Sequence, residues 1–319
     1  MLAYFIRRLL FLVPMLLIIS FLIYLGLDLT PGDAVSYMVP PDMMANITAS
    51  ELNAIRESLG LNDPFFVRYL KWLTGVLHGE FGYSLTSGVP IKDVVLDRLP
   101  ATLELSIFAL ILSTILGATF GTISALKRNS GTDNVLSVIG MMGVSIPEFI
   151  FGLIAIVLFA LHLAWFPVGG RLMPGYETFW DHLPHLILPA TVLSLIMTAG
   201  VMRYTRSSML DSMNREFIKT ARSKGLPEWR VNFIHGFRNA LTPIIVLIGF
   251  RLPMLIGGTV VIEQVFQWPG LGDLFVLSVR GSNYPTIMMI SFFSVTTVLI
   301  VSFLIDLLTA WLDPRIKLD

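Results

Sequence analysis

The sequence predicts an all-α protein that crosses a membrane about six times, and three observations carry that prediction. Hydrophobic residues fill 55% of the 319 positions and charged residues only 14%, against roughly 25% charged in an average soluble domain. Apolar stretches of about 20 residues recur, each long enough to cross a hydrocarbon layer of about 30 Å at 1.5 Å rise per residue. Lys and Arg gather in alternate connections between those stretches, the bias that keeps loops in the cytoplasm. The formal net charge of zero hides that asymmetry, so it points to no nucleic acid and no acidic partner. With no cysteine, disulfides, thiolate metal sites and cysteine nucleophiles are excluded.

The first span is expected at residues 9–29. Arg7 and Arg8 ahead of it resemble the start of a secretory signal, but the apolar run outlasts the roughly 7–15 residues of a cleaved signal and ends without a small-x-small site. It reads as an uncleaved membrane helix. Residues 30–100 are too long for a turn and contain two short helical stretches, 49–59 after a cap at Thr48 or Ser50 and 64–77 stopped near Gly79. They read as a small folded external cap. Five further spans follow within a core of residues 101–312, at 102–126, 135–163, 186–202, 241–262 and 287–312. Pro147 and Glu148 interrupt the third, a break tolerated only where protein or a cavity covers the freed backbone. Residues 313–319 form the tail.

Orientation follows from the basic connections. Arg7 and Arg8, then Lys127 and Arg128, then the run from Arg203 to Arg238, then Arg315 and Lys317 all fall on one side. Both termini are therefore expected in the cytoplasm.

The cytoplasmic connection 203–240 is the most informative stretch. Residues 214–230 read as two short helices meeting at a corner, where Gly225 supplies the left-handed residue that ends the first and Pro227 opens the second. Phe217, Ile218, Ala221 and Leu226 form an apolar face between basic positions, too short to be stable alone in water. The face rests either on anionic lipid or in a groove of a soluble partner.

Polar residues near the membrane supply the other candidates. Arg251, mid-way along the fifth span, carries a burial cost of at least roughly 2.5–3.5 kcal/mol unless it faces a cavity or a partner. It is expected to face the path or an opposing carboxylate, with snorkelling as the plain alternative. Glu104, expected in the first turn of the second span, is favoured there by the helix dipole with or without a transport role. Asp306 is expected to pair with a basic residue near the cytoplasmic surface. His182 and His185 have a spacing that suits a metal on a helix, but Pro184 intervenes and no third ligand stands nearby. Trp268, Pro269, Gly270 and Gly272 form either an interfacial tryptophan anchor with a tight turn or an outer gate, and Pro-Gly at the centre favours type II geometry.

Taken in order, Tyr4-Phe-Ile-Arg-Arg-Leu9, Thr30-Pro-Gly-Asp33, Leu59-Gly-Leu-Asn-Asp-Pro64, His78-Gly-Glu-Phe-Gly82, Ala101-Thr-Leu-Glu-Leu105, Thr205-Arg-Ser-Ser-Met209, Phe217-Ile-Lys-Thr-Ala-Arg-Ser-Lys-Gly225, Arg238-Asn-Ala-Leu-Thr-Pro243, Trp268-Pro-Gly-Leu-Gly272 and Asp313-Pro-Arg315 resemble the permeases of binding-protein-dependent ABC importers, in the dipeptide and oligopeptide branch that also holds nickel and glutathione permeases. The resemblance covers nearly the whole chain. It implies a type I importer fold and a cytoplasmic coupling helix formed by Phe217, Lys219, Thr220, Ala221, Arg222, Gly225 and Leu226, seated on an ATPase subunit. Lys219, Thr220 and Ala221 stand where the general motif has Glu-Ala-Ala, so the small Ala221 and the permissive Gly225 carry the match. The resemblance further implies a second homologous permease as heterodimer partner, two ATP-binding subunits, an extracytoplasmic solute-binding protein docking near Trp268, and a location in the bacterial inner membrane. No GxxxxGK[ST] loop is present in the sequence, so this chain is expected to hold no cofactor, with ATP and magnesium on the partner ATPases. The competing classes are a stand-alone secondary transporter, which needs carboxylates buried at mid-membrane, and a membrane enzyme, which needs a metal or nucleophile constellation.

Overall fold

The computed structural model describes residues 2–30, 48–58, 62–171 and 178–312. In chain order the helices are α1 (Leu2–Asp28), α2 (Ala49–Ser58), α3 (Phe65–Leu77), α4 (Ile91–Leu126), α5 (Gly131–Ser145), α6 (Glu148–Ala155), α7 (Phe179–Met213), α8 (Glu216–Ser223), α9 (Arg238–Gly258), α10 (Val260–Val265), α11 (Leu271–Arg280) and α12 (Tyr284–Leu312). Among the described residues the only β-type pairing is an isolated bridge between Tyr83 and Pro90. Among the described residues four helices are long and apolar enough to cross a membrane: Phe5–Asp28, Ile91–Leu126, Trp180–Met213 and Tyr284–Leu307.

The third expected span is divided. α5 stops at Ser145, α6 starts after Pro147, and π-helical turns continue through Ile156–His162. Proline has no N–H and forces the preceding residue out of the helical region, which accounts for the break. The fifth span is also jointed, at Thr259 between α9 and α10.

Three expected boundaries move. α4 begins at Ile91, ahead of the expected start of the second span at 102. Its first turns carry Lys92, Asp93, Asp97 and Arg98, which mask them in a hydropathy reading, but Ile91 and Val95 are buried one turn apart. α7 runs to Met213, so Arg203 and Arg206 stand on the end of a membrane helix and not in a loop. α12 opens at Tyr284, ahead of residue 287. Parts of the motifs at 30–33 and 59–64, and all of the 313–319 tail, lie outside the described residues.

Packing centres on α4 against α7. Ala101, Leu105, Ala109, Ser113, Gly117, Gly121 and Ala125 recur every four residues on α4 and all are buried. Every residue on that stripe but one is small, which lets two backbones approach as membrane helices require in the absence of a hydrophobic drive. Gly117 and Gly121 lie against Val201, Met202 and Thr205, with no room for a Cβ. α12 closes the molecule on α1, where Phe5 meets Phe303 edge-on at 5.3 Å. Arg8 Nε donates to Asp306 at 2.6 Å, the pairing expected for Asp306.

Candidate functional site

The corner at Gly225 has the anticipated shape. Gly225 has φ +72°, and the C-terminal carbonyls of α8 are closed by Gly225 N–H to Arg222 O at 2.9 Å and Leu226 N–H to Ala221 O at 3.4 Å. These are the two bonds of a Schellman motif, and Leu226 packs with Ala221 as that motif favours. The apolar face divides in an unanticipated way. Ile218 and Ala221 are buried against Val231 of the same chain, so α8 needs no second protein to cover them. Phe217, 41% exposed, points outward with Lys219, Thr220 and Arg222. The ion pairs Lys219–Glu216 at 2.7 Å and Arg222–Glu228 at 2.9 Å lie on the exposed side. Phe217 forms part of the rim of a cleft of about 500 Å³ shared with Tyr204, Asp211, Arg215 and Asn239.

The corner is mechanically tied to two long helices. Only Asn214 and Arg215 separate α7 from α8, and after Pro227 the turns Glu228–Arg230 and Val231–Phe237 run without interruption into α9. Above this corner lies a second cleft, about 490 Å³, lined by Arg128, Arg203 and Arg206 among others. Arg206 clamps the buried Asp133 through Nε at 2.9 Å and Nη2 at 2.8 Å. Asp133 also accepts from the Ser124 hydroxyl and the Asn129 N–H. The Arg206 hydrogen bonds, followed by those from Ser124 and Asn129, hold the Asp133 carboxyl well below the usual carboxylate range.

Arg251 does not meet a carboxylate. Its Nη1 donates to the Met197 carbonyl at 2.9 Å, and its guanidinium occupies the space where a Cβ on Gly200 would stand. It is a half-buried cation held on the α7 backbone. Glu104 lies in the interior of α4, three turns past its start, so the helix-dipole explanation fails; it accepts from Arg171 Nε at 2.8 Å. His182 and His185 both lie on α7, which continues through Pro184. His185 faces the Gly169 carbonyl at 3.3 Å, and among the described residues no cluster of three metal-ligating side chains forms.

The corner at Trp268 is built around a residue that sequence reasoning passed over, Glu263. Trp268 is fully buried and its Nε1 donates to Ala101 O of α4 at 2.8 Å, which removes the reading as an interfacial anchor. Gly270 has φ −99°, so no type II turn forms; the positive φ falls on Gln267, at 50°. A three-residue turn closes instead, with Gly270 N–H on Trp268 O at 2.7 Å. Glycine is needed at 270 because a Cβ there would collide with the Glu263 carboxylate, and at 272 because it would lie 2.7 Å from Val260 Cα.

Glu263 itself is wholly buried. Its Oε1 accepts from Thr102 at 2.8 Å and Thr259 at 2.9 Å, and Oε2 from the Asp273 N–H at 2.9 Å. The Thr102 hydroxyl in turn accepts the Leu271 N–H at 2.8 Å. Two of the free N–H groups at the start of α11 are thereby satisfied, and α4, α10 and α11 are joined at one point. The available signal was a lone carboxylate in the otherwise uncharged stretch 255–266, five residues before the tryptophan.

Interrupted apolar helices, with a corner helix packed on its own chain near Gly225 and a buried corner at Trp268, are an architecture that suits an integral-membrane subunit. Residues 117–318 match the family described as binding-protein-dependent transport system inner membrane component, and residues 1–106 match the N-terminal membrane component of the same systems. The chain belongs to that family. It is 43% identical to the oligopeptide transport system permease protein AppB of Bacillus subtilis, over 99% of this chain and all of that one. A putative peptide permease of Brucella ovis is 40% identical, with 99% of each chain covered. The glutathione transport system permease protein GsiC of Escherichia coli K12 is 35% identical, again over 99% of each. In three dimensions the chain resembles the inward-facing MetNI methionine ABC transporter, with TM-score 0.59 at 15% identity over 70% of this chain and 98% of that one. An amino acid ABC transporter crystallised with histidines gives TM-score 0.53 at 16% identity, over 69% and 94%. The fold is the type I importer fold, and the chain is a multi-pass inner-membrane permease subunit of an ABC importer, in the branch that holds the peptide and glutathione permeases. Membership brings with it partnership with ATPase and binding-protein subunits.

Proposed function

We propose that this chain forms half of the translocation path of an ATP-driven importer of di- and oligopeptides, with a second, homologous permease as the other half. The end-to-end identity of 43% to an oligopeptide permease is the observation that carries the substrate reading. Two ATP-binding subunits hold ATP and magnesium, and a solute-binding protein delivers the peptide from outside. Both termini and α8 lie in the cytoplasm, a sidedness supported by the Lys and Arg of the connections.

Phe217, Lys219, Thr220 and Arg222 form the outward surface that seats on the ATPase, while Ile218, Ala221 and Leu226 transmit its motion to the chain. Because α8 is continuous with α7 on one side and, through the π-helical turns, with α9 on the other, displacement of the corner moves both. α7 carries the packing on α4, and α9 carries Arg251, the candidate path-lining cation. Glu104, paired with Arg171, holds the connection after His162 against α4. At the outer end the Trp268–Gly272 corner closes the path where the binding protein docks.

The deciding experiment uses the assembled complex in liposomes with its binding protein and internal ATP. Uptake of a labelled tetrapeptide that excess glutathione does not reduce is the expected result. The 35% identity to a glutathione permease favours glutathione as the second reading, and ATP-driven uptake of glutathione without peptide uptake would establish it. Transport of neither overturns the assignment.

A further inference from the structure

We propose that α3 is an in-membrane interfacial helix, its outward face of Phe66, Val67, Leu70 and Leu77 covered by lipid acyl chains of the leaflet in which α1 ends. The external segment is thus no free-standing cap.

Depth is the first argument. The Tyr69 hydroxyl, on the inner face of α3, donates to the Leu17 carbonyl at 3.2 Å and bonds the Ser20 hydroxyl at 2.9 Å. Phe65, Tyr69 and Trp72 pack on Phe21 and Tyr24 with ring separations of 5.5–5.7 Å. Arg68 reaches Asp28, the last residue of α1, at 2.8 Å. From Asp28 down to Leu17 is about 16 Å of helix, roughly half of a 30 Å hydrocarbon layer. A helix with contacts over that whole interval lies beside the spans and not above them. Trp72 also meets Phe292, eight residues inside α12, at 5.8 Å.

The second argument is the chemistry of the uncovered face. Phe66 is 66% exposed even though its ring stacks on Phe21 of α1 at 6.2 Å, and Leu70 and Leu77 are 56% and 76% exposed. The apolar surface continues onto α1, where Ile18 and Leu22 are 59% and 56% exposed in a span whose apolar window is only 6% buried. Thr74 and Lys71, the polar groups on this side, have partners within the chain. The Thr74 hydroxyl donates back to the Leu70 and Lys71 carbonyls, both at 2.9 Å, as hydroxyls do in membrane helices. Lys71 turns back to Asp63, ahead of the helix, at 2.6 Å, the snorkelling expected of a lysine beside lipid.

The chain has no cysteine, so a single introduced thiol is unambiguous. Leu70→Cys and, as control, Ser87→Cys in an exposed turn are labelled with an environment-sensitive fluorophore on the complete transporter in lipid nanodiscs, where both faces of the bilayer are open and sidedness plays no part. Expected at Leu70 are blue-shifted emission, severalfold stronger quenching by doxyl-labelled acyl chains than at Ser87, and protection from iodide. Iodide quenching equal to that at Ser87 would place α3 in water and overturn the proposal. Protection from both quenchers would place a protein partner on this face and overturn it equally. Phe66→Cys gives the same readout should Leu70→Cys fail to assemble.

Discussion

Glu263 satisfies two threonine hydroxyls and one helix-terminal N–H in a space that water does not reach. Truncating it to alanine strands those groups, at about 1–3 kcal/mol for each buried donor left unpaired. Glu263→Ala is therefore expected to lower the unfolding free energy of the purified transporter by about 3 kcal/mol, and Gly270→Ala to do comparable damage by expelling the carboxylate. Denaturant unfolding of both variants measures this; a Gly270→Ala protein as stable as wild type would show that the cage is not closed. Arg251 calls for a different readout, because its hydrogen bond goes to a backbone carbonyl. Arg251→Leu leaves no charge stranded, so assembly and stability should stay near wild type while transport falls at least tenfold; a transport-competent leucine variant removes Arg251 from the path. The two residues also mark where sequence reasoning reaches and where it stops. A charge in mid-span announces itself by its cost, so Arg251 stands out in the sequence, but where an opposing carboxylate was one of its two expected placements the structure gives a backbone carbonyl, which has no signature in sequence. Glu263 was missed because its partners stand 161 residues away on α4 and ten residues on at α11.

At the scale of elements, the corner at Gly225 was legible because glycine before Leu-Pro encodes its own geometry. Helix ends were not: α4 and α7 extend past their apolar runs into charged turns, which hydropathy cannot see and packing supports. The corner also makes a graded prediction. A Cβ at Gly225 would meet nothing within 4 Å, so substitution there is penalised by backbone strain alone, about 1–3 kcal/mol for a non-glycine residue at positive φ. Asparagine tolerates that conformation and valine does not. Gly225→Asn should retain most ATPase subunit and most transport, and Gly225→Val should lose both while the spans still insert. Equal behaviour of the two variants in co-purification and uptake would refute a conformational role. Asp133, two residues ahead of the apolar run at 135, ties the start of α5 to α7 through Arg206. Its carboxyl titrates lower in the folded chain than in the unfolded one, so the stabilisation is complete above the ordinary carboxylate pKa of about 3.9 and is lost as pH falls below it. Asp133→Asn is expected to cost about 2 kcal/mol at pH 7, with a gap to wild type that is flat from about pH 5 to 8 and closes below about pH 4. A gap that changes near neutral pH would assign the effect to another group.

For the whole molecule, sidedness decides whether the corner helix faces ATPase or solute. Arg7, Arg8, Lys127, Arg128 and the cluster from Arg203 to Arg238 fall at one end of the bundle, and transferring that many cations across a membrane is opposed by the same bias that orients helices during insertion. The Arg8 pairing with Asp306 joins the first and last spans at that same end, which makes an inverted first span incompatible with the packing of α12. The reversed arrangement would also leave Phe217 and the exposed surface of α8 on the side where no ATP is available. In intact cells a membrane-impermeant thiol reagent should therefore label Ser87→Cys and leave Ser223→Cys unmodified until the membrane is opened. Both positions are exposed in the folded chain, so lack of labelling at Ser223 reports the barrier and not burial. Labelling of Ser223→Cys in sealed cells would reverse the molecule and remove α8 from any contact with an ATPase.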